Sequence, residues 1–146
     1  HNTALATVYC PNNRLTALDL SKNTALATLA CSRNQLTALD LSQNTAITEL
    51  YCNNNQLAAL DLSRNTALTE LYCNGNRLTT LDLSRNTELT KIYCDDNPLT
   101  ELNISNLSKI EEIVFGDNPE INVIANSQTV VSDEVRHYMD GKRKTP

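Results

Sequence analysis

Five thiols are the most reactive side chains of this sequence: Cys10, Cys31, Cys52, Cys73 and Cys94, each 21 residues from the next. Cysteine can ligate zinc, close disulfides or act as a nucleophile, and each use makes its own demand on spacing. Zinc sites cluster cysteines within a few residues of one another or add histidine, whereas here the only histidines are His1 and His137, outside the cysteine run. Disulfides fit poorly too, because five cysteines cannot all pair and equivalent positions on stacked parallel strands suit the bond badly. The spacing predicts free, inert thiols that fill a leucine-like core position, a reading compatible with either redox compartment.

Other candidate chemistry is weaker still. The sequence has no GxSxG, P-loop or HExxH motif, and no histidine between the cysteines to activate Ser or Cys, so no catalytic residues are expected. The carboxylate pairs Asp95-Asp96 and Glu111-Glu112 read as solvated turns. A second series, Asp19, Asp40, Asp61 and Asp82, would stack like charges one repeat apart, and something must offset the repulsion. Calcium is one option; hydrogen bonds to Ser21, Ser42, Ser63 and Ser84, with Lys22, Arg64 and Arg85 nearby, are the other. Calcium-binding repeats need glycine-rich turns, and with three glycines in the chain no metal and no cofactor is predicted. The sequons Asn103-Ile104-Ser105 and Asn106-Leu107-Ser108 match a pattern that is common by chance.

A fixed period means that the chain is a stack of similar coils, each unable to bury its own apolar face alone. Regular units run over 2–22, 23–43, 44–64, 65–85 and 86–106, and a degenerate sixth follows from Leu107. Each has two halves, LxxLxCxxNxL (Leu26, Leu29, Cys31, Asn34, Leu36) and LxxLDLSxN (Leu36, Leu39, Asp40, Leu41, Ser42, Asn44), so the pulse alternates between ten and eleven residues. Apolar residues two apart share one face of a strand, which predicts a strand and a bend per half, and two narrow parallel sheets rising about 4.8 Å per coil. The asparagine columns, Asn13, Asn34, Asn55, Asn76, Asn97 and Asn118 after the first half and Asn23, Asn44, Asn65 and Asn86 after the second, would turn their amides inward to satisfy the bending backbone.

The motif LxxLxCxxNxL resembles the signature of leucine-rich repeats, from about Leu5 to Asn118, and the doubled version is similar to a 21-residue subclass found in bacterial, notably Bacteroidetes, surface proteins. The resemblance implies a mostly β, right-handed solenoid with little helix, a module that binds other macromolecules, and a secreted or cell-surface, adhesive setting. Because both halves carry strand patterns, a flatter, nearly all-β coil is expected.

Composition sets outer bounds. The chain of 146 residues is 40% apolar and 4% aromatic, a thin aliphatic core for one domain. A net charge of −5 without a basic column argues against nucleic acid, and no stretch is long and apolar enough for membrane insertion. The pattern starts in mid-array, which suggests a fragment whose uncapped edge could self-associate end to end. It decays toward the other end, where Phe115 replaces cysteine and an extra residue enters near Glu120. The expected division is an array over 1–125 and a cap or tail over 126–146, where Val130, Val131, Val135, Tyr138 and Met139 could form a short amphipathic helix; a strand or a disordered tail are the alternatives.

Columns that the fold needs stay constant from coil to coil, and columns that vary are free for recognition. Variation is greatest on the outward face of the first half: Thr7, Thr28, Glu49, Glu70, Lys91 and Glu112 in one column, Tyr9, Ala30, Tyr51, Tyr72, Tyr93 and Val114 in the next. Tyrosine offers large contact area and a hydroxyl for a wet rim, although stacked rings also stabilise a sheet on their own. The expected contact surface is Tyr51, Tyr72 and Tyr93 with Glu49, Glu70, Lys91, Asn53 and Asn74, and the expected partner is a protein. A glycan-binding surface and a passive spacer within a larger surface protein are the competing readings.

Overall fold

The computed structural model describes residues 2–116 and 121–125. They form a parallel β-solenoid of three-residue strands, and there is no helix among the described residues. The strands are β1 (Thr7–Tyr9), β2 (Thr28–Ala30), β3 (Glu49–Tyr51), β4 (Glu70–Tyr72), β5 (Lys91–Tyr93), β6 (Glu101–Asn103), β7 (Glu112–Val114) and β8 (Asn122–Ile124). Strands β1, β2, β3, β4, β5 and β7 pair in that order in one sheet, and β6 pairs with β8 in a second.

The register is the repeat itself. Thr7, Thr28, Glu49, Glu70, Lys91 and Glu112 are successive partners, as are Tyr9, Ala30, Tyr51, Tyr72, Tyr93 and Val114. Between these two columns the central residue of each strand points inward, and Leu29, Leu50, Leu71 and Ile92 are fully buried. The following cysteine continues the inward row, so Cys31, Cys52, Cys73 and Cys94 form a ladder beside the leucines and are at most 1% exposed. A one-residue slip would carry every leucine and thiol to the solvent side, which is why the register is so strongly specified.

Two amide ladders hold the bends. In the first, Asn55 Nδ2 donates to the carbonyls of Cys31 and Cys52, both at 3.1 Å, and its Oδ1 accepts from Leu36 N–H at 3.0 Å. Asn34, Asn76 and Asn97 repeat the pattern one coil apart. In the second, Asn65 Nδ2 donates to the carbonyls of Leu41 and Asn44, with Asn44 and Asn86 in the equivalent roles. Each amide ties its own coil to the one before and replaces the backbone partners that the turning chain cannot supply.

The doubled motif predicts two narrow parallel sheets, and among the described residues the first has six strands and the second two. In the regular coils the second half is linked to its neighbour through single bonds, such as Gln56 N–H to Leu36 C=O and Arg77 N–H to Leu57 C=O at 2.9 Å, rather than through a ladder. Among the described residues, paired strands form there only between β6 and β8. The predicted cap over 126–146, and Asn118 with Glu120, lie outside the described residues.

Candidate binding surface

The alternation of β3, β4 and β5 turns Leu50, Leu71 and Ile92 inward and therefore brings Glu49, Tyr51, Glu70, Tyr72, Lys91 and Tyr93 together on the outer face. The three rings form a continuous stack: Tyr51 and Tyr72 have centroids 4.8 Å apart at an interplanar angle of 23°, and Tyr72 and Tyr93 are 4.6 Å apart at 11°. Stacking leaves these tyrosines half-buried. Tyr9, with no ring beside it, is 79% exposed.

The neighbouring column is wired to the rings. Tyr51 donates its hydroxyl toward Glu49 Oε2 at 3.3 Å and Glu70 Oε2 at 3.2 Å, and Tyr93 donates to Glu112 of the next coil. Lys91 Nζ meets Glu70 Oε1 at 3.0 Å. Burial first, then the charges of Glu49 and Glu70, push the Tyr51 phenol far up, while Tyr93 is pushed up to about 12 chiefly by its bond to Glu112. The face therefore presents neutral phenol edges framed by carboxylates, and its one lysine is already paired.

Asn53 and Asn74 sit on the turn beyond the rings. Asn53 accepts Ser32 Oγ–H on its side chain and Arg33 N–H on its carbonyl, and the Asn74 carbonyl accepts Asn54 N–H at 2.8 Å. Their first task is thus to join coils, with half-exposed side chains at the rim. The next turn column has a backbone cause for its composition: Asn12, Arg33, Asn54, Gly75 and Asp96 all have φ between 53° and 65°. Asn, Asp and Gly tolerate that left-handed conformation, so variation there reflects the turn rather than recognition. Glu112 and Ser32 join the network although they were not singled out from the sequence. Glu112 stood in the Glu70–Lys91 column of the sequence and was left out only of the expected contact surface.

The remaining candidates are structural. Each aspartate of the second half caps its own bend: Asp40 Oδ1 accepts Ser42 N–H at 2.9 Å, and Asp19, Asp61 and Asp82 repeat the contact. The Ser42 N–H and hydroxyl hold the Asp40 carboxyl below the usual range. Among the described residues no group of His, Cys, Asp or Glu converges to hold a metal. All five cysteines are free, and burial pushes the thiols of Cys31 and Cys94 up to about 12 and those of Cys52 and Cys73 well above the usual value. They are protonated packing groups rather than nucleophiles. No helix among the described residues is long and apolar enough to cross a membrane.

No protein-family model and no curated protein matches the sequence. Solved structures do. The functional domain of InlJ from Listeria monocytogenes, which includes a cysteine ladder, is 37% identical with a TM-score of 0.74, over 88% of this chain and 31% of that one. A leucine-rich-repeat protein of Leptospira interrogans superposes with a TM-score of 0.78 at 19% identity, covering 97% of this chain and 42% of that one. The internalin InlF of Listeria monocytogenes gives 0.70 at 19% identity, over 87% and 40%. This chain thus spans less than half the length of each of these three structures. Its coil, its register and its inward thiols together give it the leucine-rich-repeat solenoid fold of these bacterial proteins.

Proposed function

We propose that this array is a non-catalytic recognition module that binds a protein partner through the face of β3, β4 and β5, centred on Tyr51, Tyr72 and Tyr93 with Glu49, Glu70, Lys91, Asn53 and Asn74 around them. The observation that supports it is the ring stack on a register-locked sheet. Aromatic area fixed in advance loses little entropy on binding, and the carboxylates beside it provide charge selectivity. Likeness to the Listeria monocytogenes InlJ domain supports a bacterial setting, and secretion or surface display with adhesion as the use is part of the same proposal.

The same geometry weighs against a glycan. Sugar rings pack on the open faces of aromatic side chains, and in this stack both faces of Tyr72 are covered by its neighbours. Edges, hydroxyls and the unstacked outer face of Tyr51 remain, a surface better suited to peptide groups and side chains.

The test is selection of a displayed random-peptide library on the immobilised chain, followed by binding of the winners to the Tyr51→Ser, Tyr72→Ser, Tyr93→Ser triple variant. The expected result is loss of binding with the circular dichroism spectrum retained. Undiminished binding would leave this face without a role, and failure to select any binder would favour the passive spacer.

A further inference from the structure

The tyrosine column has a missing rung. Tyr9, Ala30 and Tyr51 are successive partners in the sheet, so a methyl group stands where the other regular coils carry a phenol. Sheet strands are about 4.8 Å apart, which places the backbones of Tyr9 and Tyr51 roughly 9.6 Å apart across Ala30. The stacked rings higher in the column are 4.6 and 4.8 Å from one another. Two such steps leave room for one planar group between Tyr9 and Tyr51. Ala30, 7% exposed, lies low between its neighbours, and Tyr9, 79% exposed, has no ring stacked on it.

The surroundings select the kind of plane. On one side of Ala30 the adjoining column reads Thr7, Thr28 and Glu49, and on the other lies Ser32. Glu49 already orients toward the Tyr51 hydroxyl, so its carboxylate stands at the upper edge of the gap. Neither flanking column supplies a cation at this level; Arg33 stands one residue beyond Ser32, exposed on the turn, and Lys91 is two coils away and bonded to Glu70. An acidic, aromatic slot one plane thick fits a guanidinium, which stacks on phenol faces and donates in a fork to a carboxylate.

We propose that the gap over Ala30 is an arginine slot, which takes a guanidinium of the protein partner between Tyr9 and Tyr51 with Glu49 as its counter-ion. It rests on the reading of this face as a protein-binding surface and gives that partner a chemistry, a basic segment with a protruding arginine. The slot accepts the planar guanidinium better than an ammonium because only the former covers a ring face and reaches the carboxylate at once.

The experiment is an NMR titration of the isotope-labelled whole chain with N-acetyl-arginine amide, compared with the lysine and tyrosine analogues. Saturable shifts should appear at the Ala30 methyl and the Tyr51 ring, with the lysine analogue weaker by about tenfold. Glu49→Gln should weaken the arginine probe severalfold. Ala30→Tyr, which restores the rung found in other coils, should abolish the shifts without loss of folding. No saturable shift at Ala30, equal binding to the Ala30→Tyr variant, or preference for the tyrosine analogue would each overturn the slot. Library-selected peptides that Ala30→Tyr still binds, but the triple serine variant does not, would overturn the slot and leave the tyrosine face standing. Peptides retained by both variants would remove both.

Discussion

Tyr51 and Glu70 are joined across a coil boundary: the phenol of one lies 3.2 Å from the carboxylate of the next, while Glu49 of the same strand is a second acceptor at 3.3 Å. A single proton is thereby held between two carboxylates. The aromatic and acidic columns, two separate stripes in the sequence, act as one network that Lys91 and Glu112 extend along the solenoid. Recognition and coil stacking draw on the same contacts, so the face should respond to pH as a unit.

Alkaline titration tests that coupling. The Tyr93 phenol is pushed up to about 12, first by its bond to Glu112 and then by burial, and Tyr51 and Tyr72 are raised mainly by burial. The folded chain thus keeps phenolic protons that the unfolded chain releases near pH ~10. Stability from this network is complete below about pH 10 and declines as the pH rises through about 12. Glu112→Gln removes the charge that opposes ionisation, and one tyrosine should then titrate closer to the usual value by ultraviolet absorbance. An unmoved titration curve would sever Glu112 from Tyr93.

The amide ladders should differ in worth. Asn76 makes three well-formed bonds, to the carbonyls of Cys52 and Cys73 and from Leu57 N–H. Asn86 makes two, to the carbonyls of Leu62 and Asn65, and its Oδ1 has no hydrogen-bond partner. Each buried group left unsatisfied costs about 1–3 kcal/mol. Asn76→Ala should therefore destabilise by roughly 3–5 kcal/mol and Asn86→Ala by less, read from urea unfolding midpoints. Equal losses would mean that the unpaired oxygen matters as much as a bonded one.

The inward residues were legible because their signal recurs. Leu29, Cys31 and Asn34 share a spacing with Leu50, Cys52 and Asn55, and one register satisfies all of them, which is why the core, the thiol row and the amide bends follow from spacing alone. The outward pair Glu49 and Tyr51 was legible as position, since both flank Leu50, but not as a network. Whether a phenol donates to its own strand or to the next depends on ring tilt, which leaves no mark on periodicity. The second sheet is narrower than the first for a related reason. An LDL segment such as Leu39-Asp40-Leu41 has strand spacing, yet its bend is set by Asp40 capping Ser42 N–H, and the coils there are joined by single bonds.

Thiol reactivity should divide the cysteines. Cys31, Cys52, Cys73 and Cys94 are buried and protonated, whereas Cys10 in the first coil is only partly covered. Ellman's reagent should label Cys10 in the folded chain and all five cysteines at similar rates in denaturant. Because burial raises the inner thiols, mild alkali should not speed their reaction while the coil remains closed. Rapid native labelling of Cys52 or Cys73 would contradict an inward ladder.

Arg33 occupies a turn position where it is conformationally out of place. Its φ is 55°, in the column where Asn12, Asn54, Asp96 and Gly75 stand in other coils, and only its backbone N–H, bonded to the Asn53 carbonyl at 2.9 Å, is held there. A long side chain in the left-handed region pays about 1 kcal/mol relative to residues that tolerate it. Arg33→Asn should keep the backbone bond, relieve part of that strain and stabilise the chain by roughly 0.5–1 kcal/mol in urea unfolding. The mirror experiment is Gly75→Ala: its φ is 65°, and a Cβ would come within 2.6 Å of Asn54 Oδ1, so this variant should lose stability. If Arg33→Asn brings no gain while Gly75→Ala is harmless, the turn column is not under the backbone constraint that its composition indicates.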